Sequence, residues 1–188
     1  LAAEPATANH AKAAPAKPAA GEDDKTPQEG DIPGKQHAKL DAGPGRVLVV
    51  GSFLRKDHPL LAQRLRQAVR RGAQLHSLHA VHDDWAMPLA TPFTAAPGGW
   101  VDALAQVAVA IAQSKDVSPP MAATPSDAAR RIASSLLGGE RKAVLLGNAA
   151  AQHPQATSLL ALAHWIGSQT GATVGYLGEA ANTVGAQL

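Results

Sequence analysis

The sequence predicts an α/β fold with a doubly wound, mainly parallel sheet, preceded by a disordered N-terminal tail. Two runs of branched or aliphatic residues, Val47–Val50 and Ala143–Leu146, each end at a glycine, which is typical of strands covered on both faces. Amphipathic segments alternate with such runs along the chain, and this alternation favours a parallel sheet. Residues 1–45 lack both patterns.

Residues 1–45 are predicted to be a disordered Pro/Ala-rich linker or tail. They hold 6 of the 14 prolines and 12 alanines, and their only large aliphatic residues are Leu1, Ile32 and Leu40. Such a composition cannot bury enough apolar surface to offset the entropy lost on ordering the chain. We therefore expect the folded domain to span residues 46–188, where the net charge is positive and the aliphatic residues become periodic.

The remaining elements follow from helical periodicity, capping residues and breakers. A helix is predicted to begin at Asp57-His58-Pro59 and to end at Gly72, with proline in the first turn. The other predicted elements are a strand over 73–78, a short strand around Thr94, a helix from Trp100 to about Ser114, a helix capped by Ser126 and ending at Gly138, a strand over 143–146, a long helix opened by Pro154 and a strand over 172–177.

Residues 47–73 and 144–172 repeat one plan. Each has an aliphatic strand, a glycine, a His-Pro pair, a helix and a Gly-Ala pair that leads into the next strand. Two strand–helix–strand halves of this kind predict Rossmann-like layers. Val49 and Leu145 lie in the middle of the matching strands, so we expect both to be fully buried in adjacent or near-adjacent strands.

Composition excludes several kinds of site. The chain has no cysteine, so it holds no disulfide, no thiolate zinc site, no cysteine nucleophile and no cysteine-ligated iron–sulfur cluster. The longest apolar-rich stretch, residues 100–112, is too short to span a bilayer and is interrupted by Asp102 and Gln106. No Gly-x-Ser-x-Gly elbow occurs, and no catalytic residue is assigned.

Two turns occupy the place of a phosphate-binding loop, between a strand and a helix. They are Gly51–Arg55 and Gly147–Ala150. Neither has the three-glycine spacing of a dinucleotide-binding turn or the lysine-hydroxyl ending of a triphosphate loop. We interpret both as tight turns and assign no cofactor-binding residue.

Eight histidines invite a metal interpretation, above all His76, His79 and His82, which Asp83 and Asp84 follow. Residues three apart on a strand point to opposite faces, so His76 and His79 are not expected to converge. Only His79, His82 and Asp83 could meet, and no metal site is assigned. We expect Asp83 or Asp84 to accept hydrogen bonds from loop amides, and His58 and His153, each before a proline, to cap or pack.

The strongest charge feature is the helix that follows Gly51. It carries Arg64, Arg66, Arg70 and Arg71, with Arg55 and Lys56 just before it. Such a face can be an ordinary solvated surface, or it can bind a protein partner or nucleic acid. The chain has few aromatic residues for base stacking and no recognised nucleic-acid module, so nucleic acid is not an expected partner.

Three motifs stand in order along the domain: Arg46–Ala62, Leu145–Pro154 and Gly178–Ala186. Together they resemble the large iron–sulfur subunit of bacterial NADH-quinone oxidoreductase, respiratory complex I, and they are most similar to its proteobacterial forms. The mitochondrial counterpart is the 75-kDa subunit. The resemblance implies that residues 46–188 belong to the molybdopterin-oxidoreductase-like α/β region and are a fragment of a longer subunit. Residues 1–45 do not resemble that family.

The resemblance also implies a function. In related molybdoenzymes a Gly-x-Asn-Pro turn after the first strand helps to hold a pterin-guanine dinucleotide, whereas this chain has Gly51-Ser52-Phe53-Leu54 there. The complex I region is regarded as having lost its molybdenum cofactor. The expected role is therefore a non-catalytic scaffold segment of the iron–sulfur subunit that passes electrons from NADH toward quinone. No cofactor is expected in this segment, and the iron–sulfur clusters are expected in an N-terminal part of the full subunit.

The implied partners are the other subunits of the peripheral arm of complex I, without direct membrane insertion. The implied location is the cytoplasmic side of the bacterial inner membrane, as a peripheral protein. The alternative that composition and topology leave open is a stand-alone nucleotide- or small-molecule-binding α/β protein. Binding of nucleotides or pterins to the purified chain distinguishes the two.

Overall fold

Five parallel strands form one sheet, in the order β3-β2-β1-β4-β5. The computed structural model describes residues 45–178. The strands are β1 (Gly45–Val50), β2 (Gln74–His79), β3 (Thr91–Thr94), β4 (Arg141–Leu146) and β5 (Thr173–Tyr176). The helices are α1 (Leu54–Asp57), α2 (Pro59–Arg70), α3 (Trp100–Lys115), α4 (Asp127–Leu137), α5 (Asn148–Ala151) and α6 (Ala156–Thr170), with a 3₁₀ turn over Pro97–Gly99. The predicted α/β fold is confirmed.

The predicted helix starts at Pro59, Trp100 and Ser126 are confirmed, whereas the predicted cap Asp57 and the predicted start at Pro154 are wrong. Ser126 caps α4, since its side chain accepts a hydrogen bond from the Ala129 amide. Asp57 does not cap α2; it ends α1, and its carboxylate accepts from the Phe53 amide at 2.9 Å. Pro154 does not open α6, because the short helix α5 comes first and α6 begins at Ala156.

Two predicted segments lie outside the described residues. One is the N-terminal tail, apart from Gly45, which is already the first residue of β1. The other is most of the third family-like motif, of which only Gly178 falls within residues 45–178. The structure therefore bears on the first two motifs alone.

One face of the sheet is covered by α3, α4 and α6. Leu48 and Val50 from β1 and Leu146 from β4 pack there against the apolar sides of these helices. Helix α3 contacts both α4 and α6 and is buried along most of its length, which its small alanine side chains permit. None of the helices in the described part of the chain is both long and apolar enough to cross a membrane.

Within residues 45–178, the opposite face is covered over only part of its width. Helices α1 and α2, together with Trp85 from the β2–β3 loop, pack on the strand residues Val47, Val49 and Leu75. Val49 is 1% exposed, as expected, but its register partner Leu145 is only partly buried, so the prediction of full burial for Leu145 was wrong. The reason is the path of α6, which leaves β4 and packs on the other face.

Candidate functional site

The candidate site lies where β1 and β4 are neighbours, at their carboxyl ends. In the sheet, β2 and β3 follow on one side of β1, whereas β4 and β5 follow on the other side. The direction in which successive strands are added therefore reverses between β1 and β4, and this reversal makes the pair the switch point of the sheet. Ligands of open α/β sheets bind in the crevice outside the strand ends at such a point. Here the crevice would be bounded by the turns that begin at Gly51 and Gly147.

The two turns are in direct contact. A Cβ atom added to Gly147 would lie 2.2 Å from the Ser52 Cβ and 2.6 Å from the Gly51 carbonyl oxygen. The Ala149 amide donates to that same Gly51 oxygen at 3.0 Å, so it is not free to bind a phosphate. At least one amide of the second turn is thus used inside the chain, where a phosphate-binding turn would leave it for its ligand.

The Gly51 turn also packs against an aromatic ring. Gly51 has φ +62°, a conformation that glycine adopts at little cost, and an added Cβ would lie 2.8 Å from Cζ3 of Trp100 and 2.7 Å from the Ala150 nitrogen. Trp100 is 2% exposed, and its indole nitrogen donates to the Ala95 carbonyl at 2.9 Å. The buried indole therefore packs directly on Gly51.

Two histidines flank the Trp100 ring. The His153 ring stacks on it at 5.7 Å between centroids, and the His79 ring is tilted against it at 6.1 Å. His153 Nδ1 accepts from the Gln155 amide at 3.0 Å, so the neutral ring carries its proton on Nε2, which donates to the Pro97 carbonyl at 2.9 Å. His153 thus has the packing role that its position predicted.

His58, its counterpart in the repeat, behaves differently. It stands before α2, but its side chain makes no capping hydrogen bond. Its Nε2 is buried without a hydrogen-bond partner among residues 45–178. The two His-Pro pairs therefore match in backbone position but not in the contacts of their histidine side chains.

The histidine and aspartate cluster after β2 forms loop contacts. His79 Nδ1 lies 3.8 Å from the Asp83 carboxylate, while His82 is exposed, and within residues 45–178 no three metal-ligating side chains converge. Asp84 accepts from the Ala86 amide at 2.8 Å and pairs with Arg55 at 2.7 Å, which confirms the expected loop role. The Ala86 hydrogen bond, followed by Arg55, lowers the pKa of Asp84.

The Phe53-Leu54 pair fills the space after the first turn. Leu54 is fully buried among the side chains beneath α2, and the Phe53 ring lies under the Lys56 ammonium, 4.8 Å from its centroid. Ser52, between Gly51 and Phe53, is also buried. Leu54 is therefore part of the core.

The basic surface of α2 faces away from the sheet. Ala62, Leu65 and Ala68 are buried against the strands, while Arg64 and Arg70 are exposed and Arg66 is partly exposed. Leu60, at the start of the same helix, is 82% exposed. This surface offers both positive charge and an apolar side chain.

Sequence reasoning missed a second cluster, at the amino ends of the strands. There Ser135 on α4 donates to the Gln74 side-chain oxygen at 2.7 Å, so His76 Nε2 donates in turn to the Ser135 hydroxyl at 2.8 Å. Gln74 and His76 are two residues apart in β2, with Leu75 between them, and that spacing of two was the available signal for one shared face.

His76 is expected to make stability depend on pH. Burial, followed by the charge of Arg46, lowers its pKa from 6.5 to about 4. Between these values the unfolded chain binds a proton that the folded chain does not, so this contribution is complete above pH 6.5 and is lost as the pH falls. We expect the free energy of unfolding to drop by about 2 kcal/mol from about pH 7 to about pH 5 through this residue.

Urea unfolding at several pH values, in buffer without phosphate, tests this expectation. His76→Gln is the matched variant, because its amide can still donate to Ser135 but does not titrate. The variant should lose most of the dependence between neutral pH and about pH 5. An unchanged slope would mean that His76 is not the group responsible.

No protein-family model matches the sequence, and no curated protein matches it with statistical significance. The geometry of residues 45–178 and the three sequence motifs are therefore the grounds on which function is inferred.

Proposed function

We propose that residues 46–188 are a non-catalytic scaffold segment of the iron–sulfur subunit of an NADH-quinone oxidoreductase. The observation that carries the proposal is the packing of the two turns at the switch point. Gly147 and Ser52 are in contact there, and Trp100 packs on Gly51, which supports a role without a ligand at these turns. The three motifs that resemble the bacterial iron–sulfur subunit supply the proposed identity of the complex.

In this proposal the segment acts through its packing and its surfaces. The exposed arginines of α2, with Leu60 beside them, form the surface proposed to bind other subunits of the peripheral arm. Apolar residues and arginine are both common in protein interfaces, whereas isolated surface charges add little to stability. The proposed place of the assembly is the cytoplasmic side of the bacterial inner membrane.

The second candidate is a stand-alone protein that binds a nucleotide or another small molecule. The strand order favours it, because 3-2-1-4-5 matches the order of dinucleotide-binding sheets. The two candidates differ in whether the crevice opens to a ligand.

Ligand titration separates them. We expect NAD⁺, GDP and a soluble pterin to leave the ring NMR signals of His79 and His153 unchanged, because both rings pack on the buried indole that contacts Gly51. The histidine signals are assigned with single His→Gln variants. Saturable micromolar binding that moves these two signals would overturn the scaffold proposal and favour the second candidate.

Assembly is tested by charge reversal on α2. Arg66→Glu with Arg70→Glu should reduce incorporation of the subunit into the complex several-fold, because the change reverses the charge of the proposed contact surface. The stability of the domain should change by no more than about 1 kcal/mol, since Arg70 is exposed and Arg66 partly exposed, and charges at such positions contribute little.

The control is Arg130→Glu with Arg131→Glu on α4, which changes net charge equally on the opposite face of the sheet. Native electrophoresis of the assembled complex measures incorporation. Normal assembly of the α2 variant would show that α2 is not the interface. Equal losses of incorporation in both variants would show that the effect depends on net charge alone.

A further inference from the structure

An open cleft of about 600 Å³ lies at the amino-terminal edge of the sheet, on the face that α4 covers. Arg46 and Gln74 line it at the starts of β1 and β2, and Arg130 and Arg131 line it from α4. Because all strands are parallel, this edge is opposite the crevice at the switch point. The cleft is large enough for a small metabolite, since ligand pockets commonly measure about 300–1,000 Å³.

The charge of the cleft is positive. Arg46, Arg130 and Arg131 contribute guanidinium groups from two elements, and no carboxylate among the described residues lines the cleft. Arg130 pairs at 3.3 Å with the exposed Asp127, whereas Arg131 has no ion-pair partner within residues 45–178. Guanidinium groups bind phosphate oxygens with two parallel hydrogen bonds, so this arrangement suits an oxyanion.

The lining also contains a buried histidine. His76 is 1% exposed and lines the cleft, yet its Nδ1 is buried with no hydrogen-bond partner in the described part of the chain. Buried polar atoms of native proteins are almost always paired, and an unpaired one needs a physical explanation. An oxyanion in the cleft would act on this ring through its charge, because it offsets the nearby guanidinium groups and so favours a protonated His76, while Nε2 keeps its bond to Ser135.

We propose that this cleft binds a small phosphate group, free or as a phosphomonoester, through Arg46, Arg130 and Arg131. Ser134 lines the same cleft and adds a hydroxyl donor. The charged groups that face His76 are Arg46 on β1 and the two arginines on α4, while β3 contributes the uncharged Thr91. A bound dianion offsets these positive charges and favours the imidazolium, so binding takes up a proton at His76.

This site is independent of the scaffold role and of the crevice. In the same NMR spectra, His76 reports on the amino-terminal edge, and His79 and His153 report on the carboxyl-terminal edge. Failure of either proposal therefore leaves the other standing.

The test is titration of the full 188-residue chain with inorganic phosphate and with glycerol 3-phosphate, followed by calorimetry and histidine NMR. We expect saturable binding by both probes and a rise in the pKa of His76 when phosphate is present. Glycerol should produce no change. Stronger binding of glycerol 3-phosphate would identify the ligand as a phosphomonoester, and equal binding would identify it as free phosphate.

Arg131→Gln should weaken binding about tenfold, because the anion loses a charge-assisted contact. The matched control is Arg64→Gln, an equal loss of charge on exposed α2, which should bind as the wild type does. If neither probe shows saturable binding with a Kd below about 10 mM, which corresponds to a binding free energy of about −3 kcal/mol, the proposal is overturned. Equal weakening in the two variants would also overturn it, because binding would then depend on net charge alone.

Discussion

Replacement of Leu146 by alanine is expected to lower the free energy of unfolding by about 4 kcal/mol, within the range for large-to-small changes in a core. Leu146 is fully buried on the face that α3, α4 and α6 cover, so the lost side chain leaves a cavity among three helices. Urea unfolding, monitored by far-UV circular dichroism, measures the change.

The neighbouring residue is the matched control. Leu145 has the same side chain in the same strand but lies on the partly covered face. Leu145→Ala should cost less, about 2 kcal/mol, because part of its surface is already in water. Equal losses in the two variants would mean that both faces of β4 are covered to the same extent.

The second large effect is expected at the contact between the two turns. Gly147→Ala should destabilise the domain by about 3 kcal/mol, because its methyl group would meet backbone atoms that cannot move aside without disturbing β1. Those atoms are the Ser52 Cα, at 2.7 Å from the added Cβ, and the Gly51 oxygen.

Gly175→Ala is the control for this change. Gly175 lies in β5, and an added Cβ would meet nothing within 4 Å. Its replacement should alter stability by less than about 1 kcal/mol, because the alanine side chain meets no obstacle and restricts the unfolded chain. A Gly147→Ala variant as stable as Gly175→Ala would show that the turns are farther apart than described.

Much of the fold could be predicted from local pattern. Aliphatic runs that end at glycine located β1 and β4, and Ser126 located the start of α4. The internal repeat correctly predicted two strand–helix–strand halves, because that signal depends on neighbouring residues alone.

Properties that depend on distant parts of the chain could not be predicted. Val49 and Leu145 occupy equivalent runs, and only the path of α6 across the sheet makes their burial different. Trp100 was predicted only as a helix start, since its contact with Gly51 and His153 requires the tertiary fold. Arg46, His76 and Arg131 form no sequence motif, and their meeting in one cleft depends on strand register and on the position of α4.

The central position of β1 has a kinetic consequence. β1 pairs with β2, which follows after helices α1 and α2, and also with β4, which follows only after β2, β3, α3 and α4. The first pairing closes a short loop and the second a long one, so the second costs more chain entropy. Folding rates fall as contacts become more distant in sequence. We therefore expect the pairing of β1 with β4, which joins the two halves and places Val50 beside Leu146, to be the rate-limiting step in the folding of this domain.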